Sequence, residues 1–166
     1  LDGGVSQSLG PIRIPGSLTV KNEATLTVTG TLWVSGPVFF SNKVVVRLDP
    51  AYGSNSGVIL TDNTASVNNK VQFQGSGAEG SYVMLLSAKD DPSSIVLDVN
   101  NDSTGVIYYT SKGRIRLNND AAAREVTGYG VTMNNGATVT YESGLASIYF
   151  TSGPGATFSI QNWREI

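Results

Sequence analysis

The chain has 166 residues and a formal net charge of −2, with 40% hydrophobic residues, 14% charged residues, no Cys and no His. This composition favours one folded domain over disorder, and without Cys or His the chain forms no disulfide, no ordinary zinc site, no cysteine nucleophile and no Ser-His-Asp triad. The few Lys and Arg residues are scattered singly, so the sequence lacks the basic stripe that predicts nucleic-acid binding.

The first 16 residues carry no regular pattern. They are interrupted by five helix-breaking residues, which are Gly3, Gly4, Gly10, Pro11 and Pro15. We therefore predict residues 1–16 as an N-terminal cap or linker and residues 17–166 as the solenoid domain, with a cap at its C-terminal end. No run of 18 apolar residues occurs and no signal peptide opens the chain, so no membrane span is predicted in this fragment and any export signal or anchor is expected upstream.

From residue 18 onward, strand patterns dominate. Residues 18–34 alternate between apolar side chains and small or polar ones, and this period of two is typical of half-buried strands. Residues 120–125 are the one helix-forming stretch, but they are too few for a stable isolated helix, so we predict a strand or turn there. Further strands are predicted at residues 38–48, 57–60, 66–73, 82–86, 95–99, 106–109, 114–117, 131–133, 137–141, 148–150 and 157–160.

A short sequence motif recurs along these strands, in which an apolar–polar–apolar run ends at an Asn. The closing residues are Asn22, Asn42, Asn69, Asn101, Asn119 and Asn135. Repeats at intervals of this order cannot bury a face alone and must stack on one another. Asn tolerates the left-handed conformation of a tight corner, and a side-chain amide can donate to one neighbour while it accepts from another. We predict that these six residues form a ladder along one corner.

The predicted fold is therefore all-β, a single-domain right-handed parallel β-helix of about six three-sided coils with an Asn ladder. An antiparallel sandwich or jelly roll is the alternative. It is disfavoured because the turns are not regular hairpin pairs, and Asn135-Gly136 is the one strong hairpin dipeptide.

Acidic residues could supply the carboxylate pair of a polysaccharide-cleaving enzyme. However, they do not occupy equivalent strand positions in consecutive coils, and several lie in turns, where Asp serves the backbone. We predict no enzyme activity, no catalytic residue, no cofactor and no metal site. The residues considered are Asp90, Asp91, Asp98, Asp102, Asp120 and Glu142.

An ice-binding solenoid is a further alternative, suggested by alternate Thr residues at positions 25–31. A flat Thr array requires the same residues on the same face of every coil. We expect the next coil to replace them with Val44, Val46 and Leu48, so a solvent face made of strand-favouring Thr is the simpler interpretation.

Exposed aromatic rings are the candidates for glycan contact. They are Trp33, Tyr108, Tyr109 and Trp163. Because neighbours in a strand face opposite ways, one ring of the pair Tyr108-Tyr109 must lie outside the core. A ring that merely covers the neighbouring coil is the competing interpretation for each of them.

Several motifs in the last two-thirds of the chain resemble a known family. They include Phe73-Gln-Gly-Ser-Gly77, Gly80-Ser-Tyr-Val-Met-Leu-Leu-Ser87, Gly105-Val-Ile-Tyr-Tyr109, Glu125-Val-Thr-Gly-Tyr129 and Tyr141-Glu-Ser-Gly-Leu145. With these motifs the chain resembles the C-terminal region of PilX-like type IV pilus accessory proteins from uncultured bacteria. The resemblance implies an Asn-rich β-solenoid that follows a membrane-anchoring helix, and a location on a pilus or cell surface. The matching positions are turn and core residues, so the resemblance implies no catalytic or ligand residue.

Together these observations predict a non-enzymatic extracellular structural or adhesive domain, displayed by a type IV pilus or cell-envelope system of a bacterium. The predicted partners are pilus or envelope subunits and a surface glycan, with no nucleic acid. The alternatives are a polysaccharide-binding or polysaccharide-cleaving β-helix and an ice-binding β-solenoid. The Asn rows are interpreted as architecture, and contacts are expected in the loops that interrupt their spacing, at residues 49–56, 75–81 and 88–94.

Overall fold

A computed structural model of the chain describes residues 1–141. This part consists of short strands and one 3-10 turn at Pro50–Tyr52. The strands are β1 (Ser6–Leu9), β2 (Ile12–Ile14), β3 (Leu18–Lys21), β4 (Thr25–Val28), β5 (Leu32–Val34), β6 (Val38–Ser41), β7 (Val45–Leu48), β8 (Gly57–Thr61), β9 (Ala65–Asn68), β10 (Gln72–Gln74), β11 (Val83–Ser87), β12 (Ile95–Asn100), β13 (Thr104–Thr110), β14 (Arg114–Asn118), β15 (Ala122–Thr127), β16 (Gly130–Met133) and β17 (Thr138–Val139).

All the strand pairings in this range are parallel, and they follow a three-sided coil. The first face stacks β1, β4, β7, β10, the start of β13, β15 and β17. The second face stacks β2, β5, β8, β11 and the later part of β13. The third face is a six-stranded sheet in the order β16, β14, β12, β9, β6 and β3. The predicted parallel β-helix of about six coils is therefore confirmed.

The core is a set of inward rows in which each side chain lies directly above the equivalent one in the next coil. On the third face, one row runs through Val20, Phe40 and Val67, and all three are buried. Phe40 meets Phe73 edge to face, with 5.5 Å between ring centroids, and Phe73 meets Tyr108 in the same way at 6.5 Å. This aromatic column fills the interior across three coils, and edge-to-face pairs add to the stability that burial alone supplies.

The first 16 residues differ from the prediction of a cap or linker. Their two strands, β1 and β2, pair in register with β4 and β5, so they form a further coil of the solenoid. The inward position of Ile12 is 46% exposed, whereas its register partner Leu32 is fully buried. The segment does cover the end of the core, but it does so as a solenoid coil.

The register of the first face also differs from the sequence interpretation. Val45 and Arg47 lie beside Thr25 and Thr27, whereas Val44, Val46 and Leu48 point into the core. The outward row is mixed, with Thr at only three of its seven positions, so it is not the continuous Thr array that an ice-binding face requires. This row consists of Ser6, Thr25, Val45, Gln72, Thr104, Ala122 and Thr138.

The short helix-forming stretch at residues 120–125 is a turn followed by β15, as predicted. Ala121 and Ala123 are buried, which shows that small side chains fill the core at this level. Within residues 1–141, no helix is both long and apolar enough to cross a membrane.

Phe39 and Phe40 test this arrangement as a matched pair, because they are neighbours in β6 with opposite orientations. Phe40 is 1% exposed and Phe39 is 43% exposed. We expect Phe40→Ala to lower the free energy of unfolding by about 3–5 kcal/mol, since it leaves a cavity in the aromatic column. Phe39→Ala should cost less than about 1 kcal/mol. Chemical denaturation of the two variants measures both values, and equal losses would contradict the assigned orientation of β6.

Candidate functional site

The corner between the third and first faces has the same backbone conformation in every coil. Six coils of the described chain place an Asn in the left-handed region at this corner, with φ of 57° at Asn22, 61° at Asn69 and 48° at Asn135. The residue after it is also left-handed, as at Glu23 with φ of 64° and Lys70 with φ of 61°. Two consecutive left-handed residues turn the chain sharply, and Asn tolerates this conformation better than most side chains do.

The side chains of these corners form the predicted ladder. The Nδ2 atom of each Asn donates to the Oδ1 atom of the equivalent residue in the preceding coil. The distances are 2.8 Å from Asn42 to Asn22 and 2.9 Å for each of the later steps. At the N-terminal end, Asn22 donates to the carboxylate of Asp2 at 2.7 Å. The hydrogen bond from Asn22, and to a smaller extent that from Lys21, lowers the pKa of the Asp2 carboxyl group. The ionised carboxylate is therefore the acceptor at the start of the ladder.

A second ladder, made of backbone groups, runs through the same corners. The N–H of each residue that follows the Asn donates to the carbonyl oxygen of the Asn in the next coil. The distances are 2.8 Å from Glu23 to Asn42, 2.8 Å from Lys43 to Asn69 and 3.0 Å from Asp102 to Asn119. The parallel pairing of the third face therefore continues around the corner into the first face without interruption.

This corner is an open groove on the surface, with a volume of about 760 Å³. We call it the corner groove. Asn22, Asn42 and Asn69 are exposed, while Asn101 and Asn119 are half-buried. The Asn row was predicted to be architecture alone, but in the structure it also lines a concave surface. The lining residues are Gly3, Gly4, Asn22, Glu23, Asn42, Lys43, Asn69, Lys70, Asn101 and Asp102.

The charges along the corner groove balance. Glu23 and Lys43 form an exposed ion pair at 3.1 Å, and Lys70 and Asp102 follow in the next two coils. Exposed ion pairs of this kind contribute little to stability. The two acidic and two basic side chains that line the corner groove give it a polar rim with no net charge.

The second face carries an apolar row on its outer surface, which the sequence analysis did not identify. Trp33, Leu60, Leu86 and Tyr109 lie beside one another in consecutive coils. Trp33 is 40% exposed and Tyr109 is 36% exposed, and the two Leu side chains between them are half-buried. We call these four residues the outer apolar row.

Trp33 is held in place by polar neighbours. Its Nε1 atom donates to Asp62 at 2.9 Å, and the guanidinium of Arg13 lies over the indole ring, 4.5 Å from the ring centroid. The cation–π contact occupies one face of the indole. A sugar can therefore stack on Trp33 only where Arg13 does not cover it.

The remaining candidates for glycan contact differ in their exposure to solvent. Tyr108 is fully buried, burial raises its pKa, and its hydroxyl has no hydrogen-bond partner within the described chain. Tyr108 is therefore a core residue and its assignment as a glycan contact is wrong, whereas Tyr109 is the ring of the pair that faces solvent. Trp163 lies outside the described residues.

Within residues 1–141, several of the acidic residues have structural partners. Asp98 accepts two hydrogen bonds from Arg116, at 2.9 Å and 2.6 Å, and Asp90 pairs with Lys112 at 2.6 Å. Asp102 and Asp120 occupy corner positions, and Glu142 lies outside the described range. Among residues 1–141, no group of three or more His, Cys, Asp or Glu side chains is placed to hold a metal ion.

Two of the loops expected to carry contacts brace each other. The hydroxyl of Ser81 donates to the carbonyl of Asn55 at 2.8 Å, and that of Ser76 donates to the carbonyl of Gly53. Beside them, a polar groove of about 490 Å³ includes Arg47 and Asp49 in its lining. In the third loop, at residues 88–94, the carboxylate of Asp91 accepts a hydrogen bond from the hydroxyl of Ser93 at 2.7 Å. This hydrogen bond stabilises the turn.

Comparisons of the chain with known protein families, with curated proteins and with solved structures find no match.

Asn69 tests the contribution of the ladder. Asn69→Ala removes two side-chain hydrogen bonds and places Ala at a φ of 61°, so we expect the free energy of unfolding to fall by about 2 kcal/mol. Asn69→Gly removes the same bonds but suits the left-handed conformation, and it should cost only about 1 kcal/mol.

Asn55→Ala, in an exposed loop, is the control and should change stability by less than about 0.5 kcal/mol. Urea denaturation measures all three variants. If Asn69→Gly and Asn69→Ala lose equal stability, the left-handed conformation does not contribute, and if neither loses any, the ladder does not stabilise the fold.

Proposed function

We propose that this chain is a non-enzymatic extracellular structural or adhesive domain, displayed by a type IV pilus or a cell-envelope system. The observation that carries this proposal is the outer apolar row, which lies on a rigid face and spans four consecutive coils. Hydrophobic strips on soluble surfaces are typical of sites that contact another protein or a ligand. The resemblance to PilX-like accessory proteins suggests pilus or envelope subunits as the partners.

The core supports a mechanical function. Each coil is joined to the next along all three faces, and the corner adds its own two ladders. Because a repeat protein of this kind stacks neighbour on neighbour, its outward residues line up over several coils. A continuous stack of coils suits a domain that holds a contact surface away from the cell.

The outer apolar row can be tested by replacing its two central residues. The double variant Leu60→Lys/Leu86→Lys places charge on half-buried outward positions, so we expect attachment to pili or envelope preparations of the parent bacterium to weaken roughly tenfold. The assay uses beads that carry the purified domain and counts those retained under flow. Circular dichroism and thermal unfolding check that the variant folds.

Ser66→Lys is the matched control, because Ser66 is a half-buried outward residue of the third face. It should leave attachment unchanged. Attachment of the double variant at the wild-type level would contradict the role of this row, and release of new reducing ends from polysaccharide by the purified domain would contradict a non-enzymatic function.

A further inference from the structure

We propose that the corner groove binds a linear, uncharged polysaccharide that lies parallel to the solenoid axis. This inference deepens the adhesive function proposed above by assigning it a second contact surface and a ligand class. The groove passes the corners of five consecutive coils, from Gly3 to Asp102. At a strand spacing of about 4.8 Å, this corresponds to a track of about 20 Å.

The ladder leaves hydrogen-bonding capacity on the groove side. A side-chain amide has two N–H donors and an oxygen with two lone pairs. For Asn22, Asn42 and Asn69, one donor and one lone pair serve the ladder, and the described part of the chain supplies no partner for the second donor. These three amides are exposed, so each offers a donor and an acceptor to a ligand in the groove.

The spacing of these amides selects among extended ligands. They repeat at the coil spacing of about 4.8 Å, whereas an extended peptide advances about 3.3 Å per residue. One unit of an extended pyranose polysaccharide is close to one coil spacing in length. Successive sugars can therefore stay in step with successive coils along the groove, whereas successive residues of an extended peptide cannot.

The rim of the groove selects against charge. Glu23 and Lys43 neutralise each other at 3.1 Å, and Lys70 is followed by Asp102 in the next coil. A polyanion would gain from one Lys and be repelled by the nearby carboxylates. An uncharged chain rich in hydroxyl groups meets no such repulsion, and its binding should depend little on salt.

The test uses the purified chain and a panel of soluble, uncharged, linear oligosaccharides of increasing length, namely the gluco-, manno-, xylo- and N-acetylglucosamine series. We expect at least one series to bind, with affinity that rises with length up to about five units and then levels off, because the groove spans five coils. Binding should shift the side-chain amide NMR signals of Asn22, Asn42 and Asn69. Affinity should change less than about twofold between about 0.05 and 0.5 M salt.

Lys70→Trp places a bulky side chain in the groove and should weaken binding roughly tenfold. Lys112→Trp, an exposed Lys of another turn, is the matched control and should leave affinity unchanged. The NMR shifts of the wild-type protein decide the site even if Lys70→Trp folds poorly.

Three outcomes would overturn the proposal, and none of them depends on the attachment assay. The first is that no uncharged series binds at millimolar concentration. The second is that binding shifts the indole signal of Trp33 and is lost in Trp33→Ala but kept in Lys70→Trp, which would move the glycan site to the outer apolar row. The third is that oligogalacturonate binds more tightly than every uncharged series and is released by salt. The Leu60→Lys/Leu86→Lys experiment tests the adhesive function separately.

Discussion

The structure depends on the corner at which two consecutive residues adopt the left-handed conformation. For residues other than Gly, Asn and Asp this conformation costs about 1–2 kcal/mol, and the second corner position holds Glu or Lys in three coils and Asp in two. Each corner gains one backbone and one side-chain hydrogen bond to a neighbouring coil in return. Because the corners stack in register, the strand residues next to them stack in register as well, and the inward rows of the core begin from there.

The sequence was sufficient to predict this corner, because the same Asn closes each apolar–polar–apolar run. It was not sufficient for the first coil, because the two strands there have only three or four residues. They are separated by Gly10 and Pro11, which are typical of loops. The outer apolar row was missed because loops of different lengths separate Trp33, Leu60 and Leu86 along the chain. The inward orientation of Tyr108 could not be predicted by counting alternate residues from Asn101. The pairing of β13 with β15 shifts register twice before Tyr108, and each shift interrupts the alternation.

The two candidate surfaces lie on different parts of the cross-section. The outer apolar row is on the second face, whereas the corner groove joins the third face to the first. One surface is an apolar row on a sheet, and the other is polar and concave with balanced charge. Under the two proposals above, the protein partner and the polysaccharide would bind at different surfaces and would not compete. Neither surface needs a moving part, because both are fixed by the stacking of the coils.

The central claim is that the corner is a continuous, stabilising ladder, and amide hydrogen exchange tests it most directly. The backbone N–H groups of Glu23, Lys43 and Lys70 each donate across the corner. We predict that they exchange as slowly as the amides of the buried strand residues Leu26 and Val46, because opening one corner requires separating two coils. Exchange of these corner amides at the rate of an unprotected loop, with the strand amides still protected, would contradict the account.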